Sequence, residues 1–280
     1  MRRLEILLEG LHFPEAPRWH DGRLWLSDFY AHRVLTVDLA GRSETMLEVP
    51  QQPSGLGWTP DGALLVVSML DRCLLRIDGG KRSLLADLSR HATGPCNDMV
   101  VDAKGRAYVG NFGFDRHKGE AARTTCMLRV DPDGTVTRAA EDLMFPNGTV
   151  ITPDGKTLVV GETHVNRLTA FNVAADGTLS GRRLFAQFDD VFPDGICLDA
   201  EGAIWVADPR GNRVVRVFDG GRIAETIALQ DRGAYACMLG GADRRTLFVL
   251  TNTGSGPAMA KKRDGKVEIT RVDVPGAGLP

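Results

Sequence analysis

Glu15, Ser54, Asn97, Asn147 and Asp194 lie far apart in the chain, yet each stands a near-constant distance ahead of a turn. The turns are Asp21-Gly22, Asp61-Gly62, Lys104-Gly105, Asp154-Gly155, Glu201-Gly202 and Asp243-Arg244. Seven positions before the last five come Ser54, Asn97, Asn147, Asp194 and Ala236; the first repeat is one residue shorter, so Glu15 falls six before Asp21. Carboxylates and amide carbonyls are hard oxygen donors suited to Ca2+, Mg2+ or Mn2+. No His or Cys occupies any of these positions, which disfavours the usual nitrogen and sulfur ligation of zinc, while Zn2+ or Fe2+ held by oxygens stays open. Singly, Asn147-Gly148 and Asp194-Gly195 read as turns. Their common register points instead to an axial site for one divalent metal ion, with Ca2+ first among the candidates.

Convergence requires a radial scaffold, and the intervening sequence supplies one. After each turn comes a short apolar run, such as Leu64–Val67 or Ile204–Val206, and then a third, such as Cys73–Ile77 or Arg213–Phe218. These runs are β-branched or aromatic and punctuated by Gly, Asp and Asn, the composition of strands and turns. Successive turns are 40, 43, 50, 47 and 42 residues apart. A period near 45 with about four strands per unit predicts propeller blades. Tandem sandwiches would not repeat at this interval, and no unit shows the i, i+3, i+4 spacing of helical solenoids. The expected fold is an all-β, six-bladed β-propeller of four-stranded blades around a central channel, one domain over residues 1–280. The last unit is one strand short, and Leu4–Leu8 is the expected donor that closes it.

The bulk composition removes other classes. A net charge of −2 offers no basic footprint for nucleic acid. The longest apolar stretches, such as Ala63–Leu70, are too short to span a membrane. Five scattered cysteines without C-x-x-C spacing argue against a disulfide framework and fit a cytoplasmic location. Cys197 and Cys237 read as core; Cys96, beside Asn97, would need a histidine base to act as a nucleophile.

Several segments carry a resemblance. Pro14-Glu15-Ala16-Pro17-Arg18-Trp19, Cys96-Asn97-Asp98, Phe145-Pro146-Asn147-Gly148, Gly161-Glu162-Thr163-His164-Val165-Asn166-Arg167-Leu168 and Phe192-Pro193-Asp194-Gly195-Ile196 occur in order along the chain. They resemble motifs of the senescence marker protein 30/gluconolactonase family, six-bladed propellers that bind one divalent cation and mostly hydrolyse lactones. The resemblance implies that Glu15, Asn147 and Asp194 ligate the metal and that Asn97 contacts a small-molecule lactone substrate. In phosphotriesterase-like relatives the residue matching Asn97 also ligates calcium. Asp194 is the expected general base, although coordination weakens a carboxylate in that role, and activation of the water by the cation itself stays open. A calcium-dependent phosphotriesterase or aryl esterase, and a non-catalytic propeller with a structural metal, are the alternatives. No Gly-x-Ser-x-Gly elbow is present.

The family's sugar-lactone enzymes often carry an arginine two residues before the Asn97 position; this chain has Pro95. Met69, Phe112, Phe114, Met144, His164, Tyr235 and Met238 are the expected pocket walls, with Asn111 and Asp115 as weaker polar candidates. Such walls suit a less polar lactone. Phe112 and His164 are the expected substrate contacts beside Asn97, although His164 also reads as a structural histidine. The charged segment Asn111–Thr125 is expected to cap the channel or stay solvated, without a catalytic role.

Overall fold

Strands form where β-branched and aromatic runs meet Asp-Gly turns, and the computed structural model, which describes residues 2–278, assembles them into six four-stranded antiparallel sheets. The inner strands are Pro14–His20, Pro53–Trp58, Cys96–Val101, Pro146–Ile151, Ile196–Leu198 and Gly233–Gly240. Each touches the inner strands of both neighbouring sheets, and the sixth returns to the first, so the blades close into a ring. Blades one to five run in chain order from axis to rim. Blade six takes its outermost strand, Glu5–Leu11, from the start of the chain and pairs it with Gly265–Arg271.

Position in the blade explains composition. The inner strand Cys96–Val101 is buried along its whole length, because neighbouring blades cover both of its faces. The outermost strand Ser43–Glu48 is almost wholly exposed and correspondingly polar. Between blades the sheets meet through apolar layers. One of them joins Trp205, Cys237, Phe248 and Leu26, all essentially inaccessible. The Cys197 and Cys237 sulfurs lie 3.8 Å apart within that layer as free thiols.

Near the axis the strands approach so closely that side chains are excluded. A Cβ on Gly55 would lie 2.6 Å from Met99 N, and one on Gly148 2.5 Å from Ile196 N. Neither glycine has a positive φ. Asn147-Gly148 is therefore a close-packed strand segment rather than a turn, and its glycine allows backbone to meet backbone.

Candidate active site

Five of the six inner strands, all but Ile196–Leu198, carry an irregularity close to the repeated position. Register shifts fall between Glu15 and Arg18, Pro53 and Leu56, Cys96 and Met99, and Pro146 and Thr149. A bulge re-aims side chains and interrupts pairing, which frees the residue inside it to point down the axis. Asn97 and Asn147 lie inside such shifts, Glu15 at the edge of one and Asp194 just ahead of its strand, and all four line one cavity of about 340 Å³.

The sixth position differs from the sequence expectation. Gly148 N donates to Asp194 O (3.2 Å), and Gly195 N donates in the equivalent way to Tyr235 O (2.8 Å). Tyr235, which lines the cavity, is thus the structural counterpart of Asp194, and Ala236 is buried in the inter-blade layer. In blade six the register shift lies one residue earlier, between Ala234 and Ala236, so counting back from the turn lands one residue late.

A hydrogen-bond chain crosses four blades at the axis. Ser54 Oγ donates to Asn97 Oδ1 (3.3 Å), Asn97 Nδ2 to Asn147 Oδ1 (3.0 Å), Asn147 Nδ2 to Thr163 Oγ1 (3.2 Å), and Thr163 Oγ1 to Pro193 O (2.6 Å). Glu15 accepts only from Ala16 N (3.2 Å) among the hydrogen bonds of the described residues. Burial pushes its carboxyl well above the usual range; the charges of Asp194 and then Asp98 add to this, while the Ala16 N–H and Arg18 oppose it. Just beyond, Arg18 Nη2 donates to Asp98 Oδ1 (2.7 Å) and Met99 O (2.5 Å). The Asp194 and Asp98 charges that raise Glu15 are of the sign that a nearby dication would relieve. Among the described residues no three His, Cys, Asp or Glu side chains gather as a metal-binding group. Any cation here would therefore draw on the Asn147 amide oxygen beside the carboxylates of Glu15 and Asp194, and this oxygen set fits a hard divalent ion.

Of the expected walls, Met69, Phe112, His164 and Tyr235 face the cavity, as does Asp115; Phe114, Met144 and Met238 do not. Phe114 supports the wall from behind, edge-on to His164 (5.5 Å). Met238 lies further along the inner strands, where the space between blades narrows to about 20 Å³. Asn111 is structural: it donates to Cys126 O and accepts from Gly113 N and Thr125 Oγ1. Cys96 is buried among aliphatic residues, which pushes its thiol up to about 12 and removes it as a nucleophile.

Residues two before the ring, of which the sequence singles out only Pro95, are the principal addition. Phe13, Gln52, Pro95, Phe145 and Phe192 all line the cavity as a second tier. All five precede the inner strands, and Gln52 and Phe145 turn at positive φ, so the loop backbone rather than strand alternation sets them on the wall. Phe145 stacks between Phe112 (4.3 Å) and His164 (4.6 Å), forming a continuous aromatic wall beside Asn97 and Asn147. Phe13 packs edge-on against Tyr235 (4.8 Å). Arg210, at the rim, lies over Phe192 (4.5 Å).

Fold and site together define a six-bladed propeller whose axial cavity presents oxygen donors at its core and aromatic rings around them. Residues 13–253 match the model of the SMP-30/Gluconolactonase/LRE-like region, and the chain belongs to that family. It is 29% identical over 278 residues to a 6-deoxy-6-sulfogluconolactonase of Pseudomonas putida, spanning 95% of this chain and 93% of that protein. It is 27% identical over 280 residues to the pentonolactonase XacC of Haloferax volcanii, covering 95% and 92% respectively. The crystal structure of a calcium-binding protein, regucalcin, from Agrobacterium tumefaciens superposes with a TM-score of 0.84 at 23% identity, over 100% of this chain and 97% of that one, which establishes the shared fold.

Proposed function

We propose that this protein is a divalent-metal-dependent lactonase acting on a lactone less polar than a simple sugar lactone. The observation that carries the reading is the convergence of Glu15, Asn147 and Asp194 with Asn97 in one cavity. The lactonase relatives support the reaction class. Glu15, Asn147 and Asp194 are the proposed metal ligands. A cation held by them would supply Lewis-acid polarisation of the ester carbonyl.

The remaining work falls to side chains. One Asn97 amide hydrogen is committed to Asn147; the other is available to a lactone oxygen and would hold the ester in line for attack. Asp194 accepts a proton from the attacking water as general base. The Phe112–Phe145–His164 stack and Pro95 offer flat apolar surface where a hydroxyl-binding arginine would serve an aldonolactone. Phe112 and His164 are accordingly the proposed substrate contacts.

The test is hydrolysis of sugar lactones, alkyl lactones, aryl esters and a phosphotriester by metal-stripped protein and after return of Ca2+, Mg2+, Mn2+ or Zn2+. Metal-dependent opening of alkyl lactones in preference to sugar lactones is the expected result. Turnover of the phosphotriester alone would replace the reading with a phosphotriesterase. Stabilisation by metal without any turnover would leave a binding protein.

A further inference from the structure

We infer that Thr163 is a positioning residue that fixes which end of the Asn147 amide faces the axis and thereby makes Asn147 an oxygen donor. This rests on the cation reading above. The argument follows one proton. Pro193 O is a backbone carbonyl and can only accept, so the Thr163 hydroxyl gives it its single hydrogen at 2.6 Å. The hydroxyl oxygen is then left as an acceptor, and the group it meets at 3.2 Å must be the Asn147 NH2. Asn147 Oδ1 is turned the other way, where Asn97 Nδ2 donates to it at 3.0 Å. That in turn directs Asn97 Oδ1 to the Ser54 hydroxyl at 3.3 Å.

One hydroxyl committed to a carbonyl thus orders two buried amides in two blades. Asn147 is left with a spare lone pair on Oδ1, and Asn97 with a spare N–H. Rotating Asn147 by half a turn would set oxygen against oxygen at Thr163 and NH2 against NH2 at Asn97. It would also present hydrogens where a cation needs an acceptor. Pro193 immediately precedes Asp194, so the same hydroxyl joins the segments carrying two of the three proposed ligands across the boundary between blades four and five.

Ca2+ affinity of the full chain, measured by titration calorimetry beside a thermal melt, tests this. Thr163→Val keeps the shape and removes the hydroxyl, and should weaken Ca2+ binding about 10- to 100-fold, as loss of an outer-shell partner does; Thr163→Ser should restore it to within a few-fold. Thr163→Ala provides a second removal should the valine variant not fold. The decisive comparison uses Asn147→Asp, whose carboxylate offers oxygen whichever way it lies. In that background Thr163→Val should cost no more than about two-fold, a strong non-additivity. Undiminished affinity in the valine and alanine variants, or the same loss in both backgrounds, overturns the role of Thr163. Parent protein that binds no Ca2+ would instead sink the cation reading itself, and this inference with it.

Discussion

Blades one, four and five supply the proposed ligands Glu15, Asn147 and Asp194, and they differ from blades two, three and six at a second position. Where the second strand ends, the first group has buried acids, Asp28, Glu162 and Asp208; the second group has the uncharged Ser68, Asn111 and Asn252. Each acid meets an arginine five residues on: Arg33 (3.3 Å), Arg167 (2.7 Å) and Arg213 (2.9 Å). Each also accepts from backbone just ahead of the ligand, Asp28 from Phe13 N (2.8 Å), Glu162 from Met144 N (2.8 Å) and Asp208 from Phe192 N (3.2 Å). Charge-assisted hydrogen bonds are roughly twice as strong as neutral ones. The blades that present donors to the axis therefore clamp the approach to each donor with charge. The others contribute Met69, Asn97, Phe112 and Tyr235 to the cavity, where small adjustments to substrate cost less.

The contrast can be broken most severely at the clamps. Glu162→Gln should cost about 1.5–3 kcal/mol of stability, the range for hydrogen bonds to a charged group, because the arginines left behind are partly exposed. Ser68→Ala, at the matching place in blade two, should cost about 1 kcal/mol or less. Denaturant unfolding of the two variants makes the comparison, and equal losses would end it. Acid supplies a second cut. Burial works to raise Glu162, but the hydrogen bonds from Arg167, Thr169 and Met144 N hold its carboxyl below the usual range. Its stabilisation is thus complete above the ordinary carboxylate pKa and disappears as pH falls through the depressed one. Melting temperature followed from neutral to strongly acidic pH should fall in that window, and the fall should be shallower in Glu162→Gln. The smallest effect belongs to the neutral blades. Phe112→Ala should raise KM for an alkyl lactone about ten-fold, the scale of lost apolar contact, with little change in kcat; a kcat loss of the same size would instead give Phe112 a part in the chemistry.

The register of the ring was legible because the turns that set it have their own chemistry: Asp-Gly pairs mark one end of the inner strand, and strand length marks the other. Tyr235 is legible as a pocket wall, but its place in the ring, in place of Ala236, is not, because a bulge moves without any residue type announcing it. Phe145 and Phe192 stand in recognisable motifs, but they precede the strands, and the loop backbone that turns them onto the wall, with Phe145 at positive φ, has no spacing to announce it. The clamps had a signature as well, an acid followed five positions later by arginine. Only the folded chain reveals that the acid's other oxygen reaches back to the preceding loop. The orientation of the Asn147 amide was beyond any pattern, since it depends on a carbonyl 46 residues away.

The Arg18–Asp98 pair spans the axis beyond Glu15, and what lies past it leaves room for little more than a water molecule. Among the described residues, a lactone and its ring-opened acid would then both pass the rim that Arg210 lines. Departure must precede the next arrival, so product should compete directly with substrate, and turnover on bulky lactones should be governed by traffic through the entrance on the Arg210 side.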